Sequence, residues 1–302
     1  EEALAQSLNA RMHPDYILTE ESVNDPSFGT QWFHSKIKDS SVWDETDGKG
    51  TIVAVVDTGI NKNHSDLKNN ILNAVKTGNA SSPEDYYSHG THVCGIIAAE
   101  KDNEVGGCGV APGSELYSIC VGNPGNANET ITISALLSGM NIAIEDCDAD
   151  VINISLGLTK NPDSSTISQL QEVMDKAYEN GITVVAAAGN QSTSANHYPA
   201  ALDHVISVGA ITQDNKLAYY SNFGKNVDIA APGSSIYSTV PDDSYGYKSG
   251  TSMAAPIVAG AAALIYGADE SLRENRNSET VDRVTEILLN STDGQEYYYG
   301  NT

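Results

Sequence analysis

Basic residues are scarce in this chain of 302 residues: 16 lysines and arginines stand against 40 aspartates and glutamates, a net charge of −24. The deficit is spread along the whole sequence rather than confined to a tail. A field of that sign repels nucleic acid and anionic membrane, and favours cationic partners or bound metal ions. Adaptation for solubility or salt accounts for it equally well. Cysteine is also rare, at Cys94, Cys108, Cys120 and Cys147, and no two of them form a C-x-x-C pair. A zinc knuckle is thereby excluded, and buried free thiols are expected, which leaves the redox compartment open. Low-complexity runs and internal repeats are absent. Long apolar runs are absent too: residues 252–268 come nearest, but Pro256 and Gly260 interrupt them and they fall short of the roughly 20 residues of a membrane span. The chain opens Glu-Glu-Ala-Leu, with neither an initiator methionine nor a basic-then-apolar leader. Any export signal is expected to have been removed or to lie outside this sequence.

What is present is a rhythm of apolar segments. Thr51–Asp57, Glu115–Cys120, Asp150–Ser155, Ile182–Ala187 and His204–Ala210 read as strands, several of them apolar almost throughout, as strands covered on both faces must be. Helical segments are expected at about 89–99, 131–147 and 167–180, with Gly181 as a stop signal, and two more at about 251–267 and 278–290. Strands alternating with helices predict an α/β fold with a doubly wound, mostly parallel central sheet and helices on both faces. Residues 1–22 fall outside this rhythm and read as a separate arm or strand.

Four short stretches could carry chemistry. Asp57 ends a strand in D-T-G, where ligands gather in open parallel sheets, although a plain turn gives the same pattern. His89 and His92 lie in S-H-G-T-H-V at a loop-to-helix junction. Their i, i+3 spacing lacks the glutamate and the third ligand of a zinc site, so one catalytic histidine and one core histidine is the better reading. Ser252 follows Gly250-Thr251 at the start of an apolar helix. There the free N–H groups and the helix dipole favour an anion, and a serine can act as nucleophile as well as cap. Asn190 closes A-G-N at another strand end, where its amide could donate to an oxyanion.

Asp, His and Ser appear in that order, 32 and 163 residues apart. With D-T-G at 57–59, H-G-T-H-V at 89–93, A-A-G-N at 187–190 and G-T-S-M-A-A-P at 250–256, the sequence resembles the subtilisin-like serine proteases, the subtilases. Supporting matches run from N-D-P-S-F at 24–28 through S-L-G at 155–157 and S-N-F-G at 221–224, and the resemblance spans about 24–290. It implies a secreted or cell-surface serine endopeptidase working through an acyl-enzyme, with Asp57, His89 and Ser252 as triad and Asn190 in the oxyanion hole. Ser155, Leu156, Gly157, Ala187, Ala188 and Gly189 would line the cleft, their backbone groups pairing with an extended peptide. His197, just before Tyr198-Pro199, would lie at the floor of the primary specificity pocket, where many relatives carry a small residue. The resemblance further implies a structural calcium ion held by Asp25, Asp66 and Asn103 and by carbonyls of Glu100, Val105 and Gly107, all oxygen ligands as calcium prefers. No organic cofactor is expected. Residues 1–22 would be an N-terminal arm or the remnant of a propeptide, itself a potential inhibitor and the mark of a zymogen, and 23–302 a single catalytic domain. Six Asn-x-Ser/Thr sequons, Asn190 among them, read as chance, since a glycan on Asn190 would destroy the oxyanion hole. Two other readings stay open: a processing enzyme dedicated to one partner, and a catalytically silent subtilase acting as a binding protein.

Overall fold

The computed structural model describes residues 23–122, 131–158 and 162–295; the expectation for residues 1–22 lies outside them. Seven strands form one sheet: β1 (Ile52–Asp57), β2 (Ile71–Lys76), β3 (Glu115–Cys120), β4 (Val151–Ile154), β5 (Thr183–Ala187), β6 (Val205–Ile211) and β7 (Ile229–Pro232). Their spatial order is β2-β3-β1-β4-β5-β6-β7 and every pairing is parallel. The helices are α1 (Trp32–Ile37), α2 (Gly90–Ala98), α3 (Ile133–Glu145), α4 (Ser164–Glu179), α5 (Thr251–Ala268), α6 (Glu270–Glu274) and α7 (Ser278–Asn290). A separate antiparallel pair, β8 (Ile236–Val240) and β9 (Ser244–Lys248), packs against the first turns of α2 and leads into the start of α5.

Alternation along the strands divides the core in two. Val53 and Val55 of β1, Val185 of β5 and Val208 of β6 face one cluster with α2, α5 and α7. Ala54 and Val56, Ile152 and Ile154, Val184 and Ala186 face the other, with α3 and α4. Each fully buried valine or isoleucine contributes roughly 1.5–3 kcal/mol of burial, which is why the central strands are apolar at successive positions. This is the doubly wound α/β arrangement expected from the sequence.

The helix ends carry local signals. Thr132 caps α3 and Asp163 caps α4, each side chain accepting from the backbone N–H of the first turn, and Gly181 at φ 72° follows the end of α4. Helix α5 is long and apolar enough to cross a membrane by length and composition, contrary to the reading of residues 252–268. Most of it is buried inside this fold, between the sheet and α2. Its small residues permit that position: a Cβ on Gly260 would press into Val110.

The order of strands places a switch between β1 and β4. From β1 the chain builds β2 and β3 on one side, then returns to lay β4 on the other. Loops diverge there at the carboxyl ends, leaving a crevice. Asp57 ends β1 and Ser155 follows β4, so both stand at its floor.

Candidate active site

Asp57 is fully buried, and its Oδ1 accepts from the Thr58 N–H at 2.7 Å and from His89 Nδ1 at 2.7 Å. A carboxylate only accepts, so His89 carries its proton on Nδ1 and leaves Nε2 bare. The His89 side chain is 18% exposed, enough to present that nitrogen to the crevice. Burial works to lower the His89 pKa, but the charge and hydrogen bond of Asp57 and the charge of Asp85 outweigh it; Lys248 opposes them, and the net shift is upward.

Close backbone contacts hold the ring in place. A Cβ on Gly90 would collide with the carbonyl of Gly59, so only glycine lets α2 start against the loop after β1. The first N–H groups of α2 find partners in other loops: Gly90 donates to Thr58 Oγ1 at 2.9 Å and Thr91 to Asp85 Oδ2 at 2.8 Å. Asp85 also accepts from Thr58 Oγ1, Tyr87 and Ser88. This aspartate ties the histidine loop to β1, and no motif in the sequence marked it.

Ser252 lies in the first turn of α5, behind Gly250 in extended backbone. Its hydroxyl donates to the Ser155 carbonyl at 3.0 Å, and no hydrogen bond joins it to His89. In return the Ser155 hydroxyl donates to the Ser252 carbonyl at 3.0 Å. That carbonyl would ordinarily accept from the residue one turn on, but Pro256 has no N–H to give. Asn153, buried in β4, donates Nδ2 to Ser155 Oγ at 3.0 Å and so fixes the hydroxyl's direction. Asn190 is held by its oxygen, which accepts from the Thr251 N–H at 2.9 Å and the Thr251 hydroxyl at 3.1 Å. Its Nδ2 and the Ser252 backbone nitrogen lie beside Gly250, 3.4 and 3.7 Å from where a Cβ on that glycine would stand.

Of the expected cleft residues, Ser155 is buried, Leu156 partly buried and Gly157 exposed. Ala187, Ala188 and Gly189 follow one another at the end of β5, but the backbone groups of Ala188 and Gly189 are not open to a peptide as expected. Ala187 is laddered in the sheet opposite Val208, the Ala188 N–H donates to Val208, and the Ala188 and Gly189 carbonyls accept from Asn222. The Gly189 N–H donates to Thr251 Oγ1. The polar groups of Ala188 and Gly189 are spent within the fold, and none of the described hydrogen bonds takes up the backbone of Leu156 or Gly157. His197 turns into the crevice: a Cβ on Gly157 would strike its Nε2, and one on Gly189 would lie 2.8 Å from its Cδ2. Burial lowers its pKa, so it stands neutral.

The residues expected around calcium gather in part. Asp25 and Asp66 are both buried and repel one another, and among the described residues no lysine or arginine pairs with either. Asp66 is pushed up to about 7, chiefly by burial. As arranged, N–H and O–H donors satisfy them: Asp25 accepts from Asp102 and Asn103, and Asp66 from Asn103 Nδ2, Gly107 and the Tyr245 hydroxyl. Val105 donates to Asn103 Oδ1, and the Glu100 carboxylate turns away to Asn69. Two crowded carboxylates without a cation suit a divalent oxygen-seeking ion, provided the Asn103 amide presents its oxygen instead. Among the described residues no group of three or more His, Cys, Asp or Glu side chains is placed to hold a metal. All four cysteines are buried and free, as expected.

A family model described as the subtilase family matches residues 48–301. Subtilisin DY of Bacillus licheniformis is 42% identical over 257 residues, 84% of this chain and 88% of that protein. Thermitase of Thermoactinomyces vulgaris is 38% identical over 267 residues, 87% of this chain and 92% of its own. Among solved structures, proteases from Pseudoalteromonas arctica superpose with a TM-score of 0.76 at 31% identity, covering 91% of this chain and 93% of that one.

Proposed function

From the premise that this chain belongs to the subtilase family and is a serine endopeptidase, we propose that Asp57, His89 and Ser252 are its catalytic triad. The observation that carries the reading is the bond of His89 Nδ1 to buried Asp57, which leaves Nε2 as a free base at the mouth of α5. A turn of the Ser252 side chain from the Ser155 carbonyl brings its hydroxyl to that base; such bonds are often unformed until substrate binds. Ser252 Oγ then attacks the peptide carbonyl carbon as its proton passes to His89 Nε2. The resulting oxyanion accepts from Asn190 Nδ2 and the Ser252 N–H. His89 next gives its proton to the departing amine as the carbon–nitrogen bond breaks, and water releases the acyl group by the same steps reversed. This division of labour is the one established for subtilisins. Leu156 and Gly157 offer their backbone to an extended peptide substrate, with His197 at the pocket end.

A fluorophosphonate probe should label Ser252, and Ser252→Ala should abolish both labelling and turnover. Folded protein that labels at another serine would refute the triad. Asn190→Ala should lower kcat by about 100- to 1000-fold, the loss known for the matching amide of a subtilisin, with little change in KM. An unchanged kcat would remove Asn190 from the mechanism.

Calcium is proposed as a structural ion at Asp25, Asp66 and Asn103, where it would neutralise the two carboxylates. A ligand bound only by the folded state raises stability, so calcium should raise Tm and chelation lower it. Coincident melting curves would argue the site away. Secretion or cell-surface placement, with residues 1–22 as the remnant of an inhibitory propeptide, completes the proposal. Fractionation of the producing cells and the N-terminal sequence of active enzyme test those two points; intracellular activity, or activity with Glu1 intact, counts against them.

A further inference from the structure

Fully buried Asp66 accepts three side-chain hydrogen bonds among the described residues, and they come from two different places in the chain. Asn103 Nδ2 donates to its Oδ1 at 2.9 Å, while the Gly107 N–H and the Tyr245 hydroxyl donate to its Oδ2, each at 3.2 Å. Asn103 and Gly107 belong to the loop that would itself supply ligands to an ion. An Asn103 amide turned to offer its oxygen takes its donor away from Asp66. Tyr245 comes instead from β9, and no rearrangement of that loop withdraws it. Packing on three sides aims its phenol. The His64 ring stands edge-on to it at 5.2 Å and 89°, and Tyr237 of β8 stacks on it at 5.8 Å and 15°. Gly106 closes the third side: a Cβ there would collide with the Tyr245 hydroxyl and ring, so only glycine lets the loop fold over it.

The segment around Asp66 is fastened to the β8–β9 turn at two further points. His64 Nδ1 accepts from the Asp66 N–H at 3.2 Å, so its Nε2 carries the proton and donates to the Ser244 carbonyl at 2.9 Å. The Ser65 N–H donates to Asp243 Oδ1 at 2.7 Å. The same strand pair is bound to the helix that begins beside His89. There Ser238 Oγ donates to the His92 carbonyl at 2.9 Å and Thr239 Oγ1 to that of Thr91 at 2.8 Å. The pair therefore bridges the carboxylate that would hold an ion and the first turn of α2. We infer that Tyr245 is a positioning residue for the cation: its hydroxyl orients the Asp66 carboxylate, and through it a bound ion steadies the β8–β9 pair. The inference rests on the proposal of calcium at Asp25, Asp66 and Asn103. A ligating carboxylate held by a hydrogen bond from a second residue keeps the direction the ion needs, and losing such a partner weakens binding by about 10- to 100-fold.

Calcium chloride titrated calorimetrically into chelator-treated protein tests this directly, with Ser252→Ala as the parent chain to prevent self-digestion. Tyr245→Phe, which removes only the hydroxyl, should raise the calcium Kd by about 10- to 100-fold. Tyr237→Phe removes a hydroxyl from the same stack that makes no described bond to Asp66, and should leave Kd unchanged. A merely structural Tyr245 would lower Tm in the presence of chelator and leave Kd alone; that result overturns the inference while the calcium site stands. Where Tyr245→Phe does not fold, hydrogen exchange of the parent decides. Calcium should slow the amides of β8 and β9 more than those of α3, which packs on the other face of the sheet. Equal slowing in both overturns the inference. Absence of both binding heat and a Tm shift when calcium is added to the parent overturns the calcium reading, and the inference with it.

Discussion

His89 and His92 stand one turn apart, at the start of the same helix, and the fold gives them opposite tautomers. His89 donates from Nδ1 to a carboxylate and keeps Nε2 bare toward the crevice. His92 is fully buried and donates from Nε2 to the Ile236 and Gly246 carbonyls, at 3.0 and 3.1 Å, while its Nδ1 has no partner among the described residues. Burial drives its pKa down to about 3, whereas Asp57 and Asp85 carry that of His89 upward. The same side chain thus presents a bare ring nitrogen in one place and clamps α2 to the β8–β9 pair in the other. What distinguishes them is the acceptor each ring meets, a carboxylate or a neutral carbonyl.

The sharpest way to break this contrast is to remove each ring in turn. His89→Ala should cost on the order of a millionfold in kcat, as the corresponding loss does in a subtilisin, with the thermal midpoint nearly unchanged. His92→Ala should reverse the pattern, costing roughly 2–4 kcal/mol of stability through two abandoned carbonyls and a cavity, while kcat measured well below the new Tm stays within a few-fold. If His92→Ala folds stably and is inactive, the division of roles is wrong.

Acidification should separate the rings next. In the proposed mechanism His89 acts only when neutral, and its folded pKa is raised, so kcat/KM should fall as pH drops through a value above 6.5. An acid limb well below 6.5 would contradict the Asp57 and Asp85 environment. His92 contributes in the other direction. Its folded pKa lies below its unfolded value, so the unfolded chain takes up the proton first, and stability falls as pH drops from about 6.5 toward 3. In His92→Gln the dependence of Tm on pH over that window should flatten, and an unaltered slope would assign the effect to carboxylates.

The smallest effect concerns a third histidine. His197 packs against Gly157 and Gly189, and as the proposed end of the specificity pocket it should cost the enzyme only its large aromatic substrates. His197→Gly should gain them by about 10- to 100-fold in kcat/KM, the range open to a change of pocket size. Identical peptide-library profiles for the two proteins would exclude the ring from specificity.

Sequence and structure agree where burial on both faces leaves a continuous apolar run, as in β1, β3, β4, β5 and β6. They part at the margins. Strand β2 shows mostly exposed or half-exposed residues, β7 is only Ile-Ala-Ala-Pro, and β8 and β9 carry tyrosines, serines and a lysine, so none has the pattern of a buried strand. Helix α1 is too short for periodicity to register. At the site, Asp57, His89, Asn190 and Ser252 were legible because each sits in a motif at the end of an element. Asp85 and Asn153 were not, since nothing in their neighbourhoods differs from an ordinary polar loop or strand.

Taken alone, the sequence determined which residues could react and where elements begin. Gly90 permits a close approach, Pro256 frees a carbonyl, and Gly250-Thr251 precedes a helix with Ser252 in its first turn. Those are properties of backbone sterics and local hydrogen bonding, and they travel with the residues. Only the tertiary structure decided which nitrogen of His89 is bare, which backbone groups of the cleft remain open to a peptide, and which charges surround the reacting centre. Each depends on groups far apart in the chain and brought together at the β1–β4 switch. Tautomer, free valence and field are properties of a place, and the place exists only once the two halves of the core have packed against the sheet.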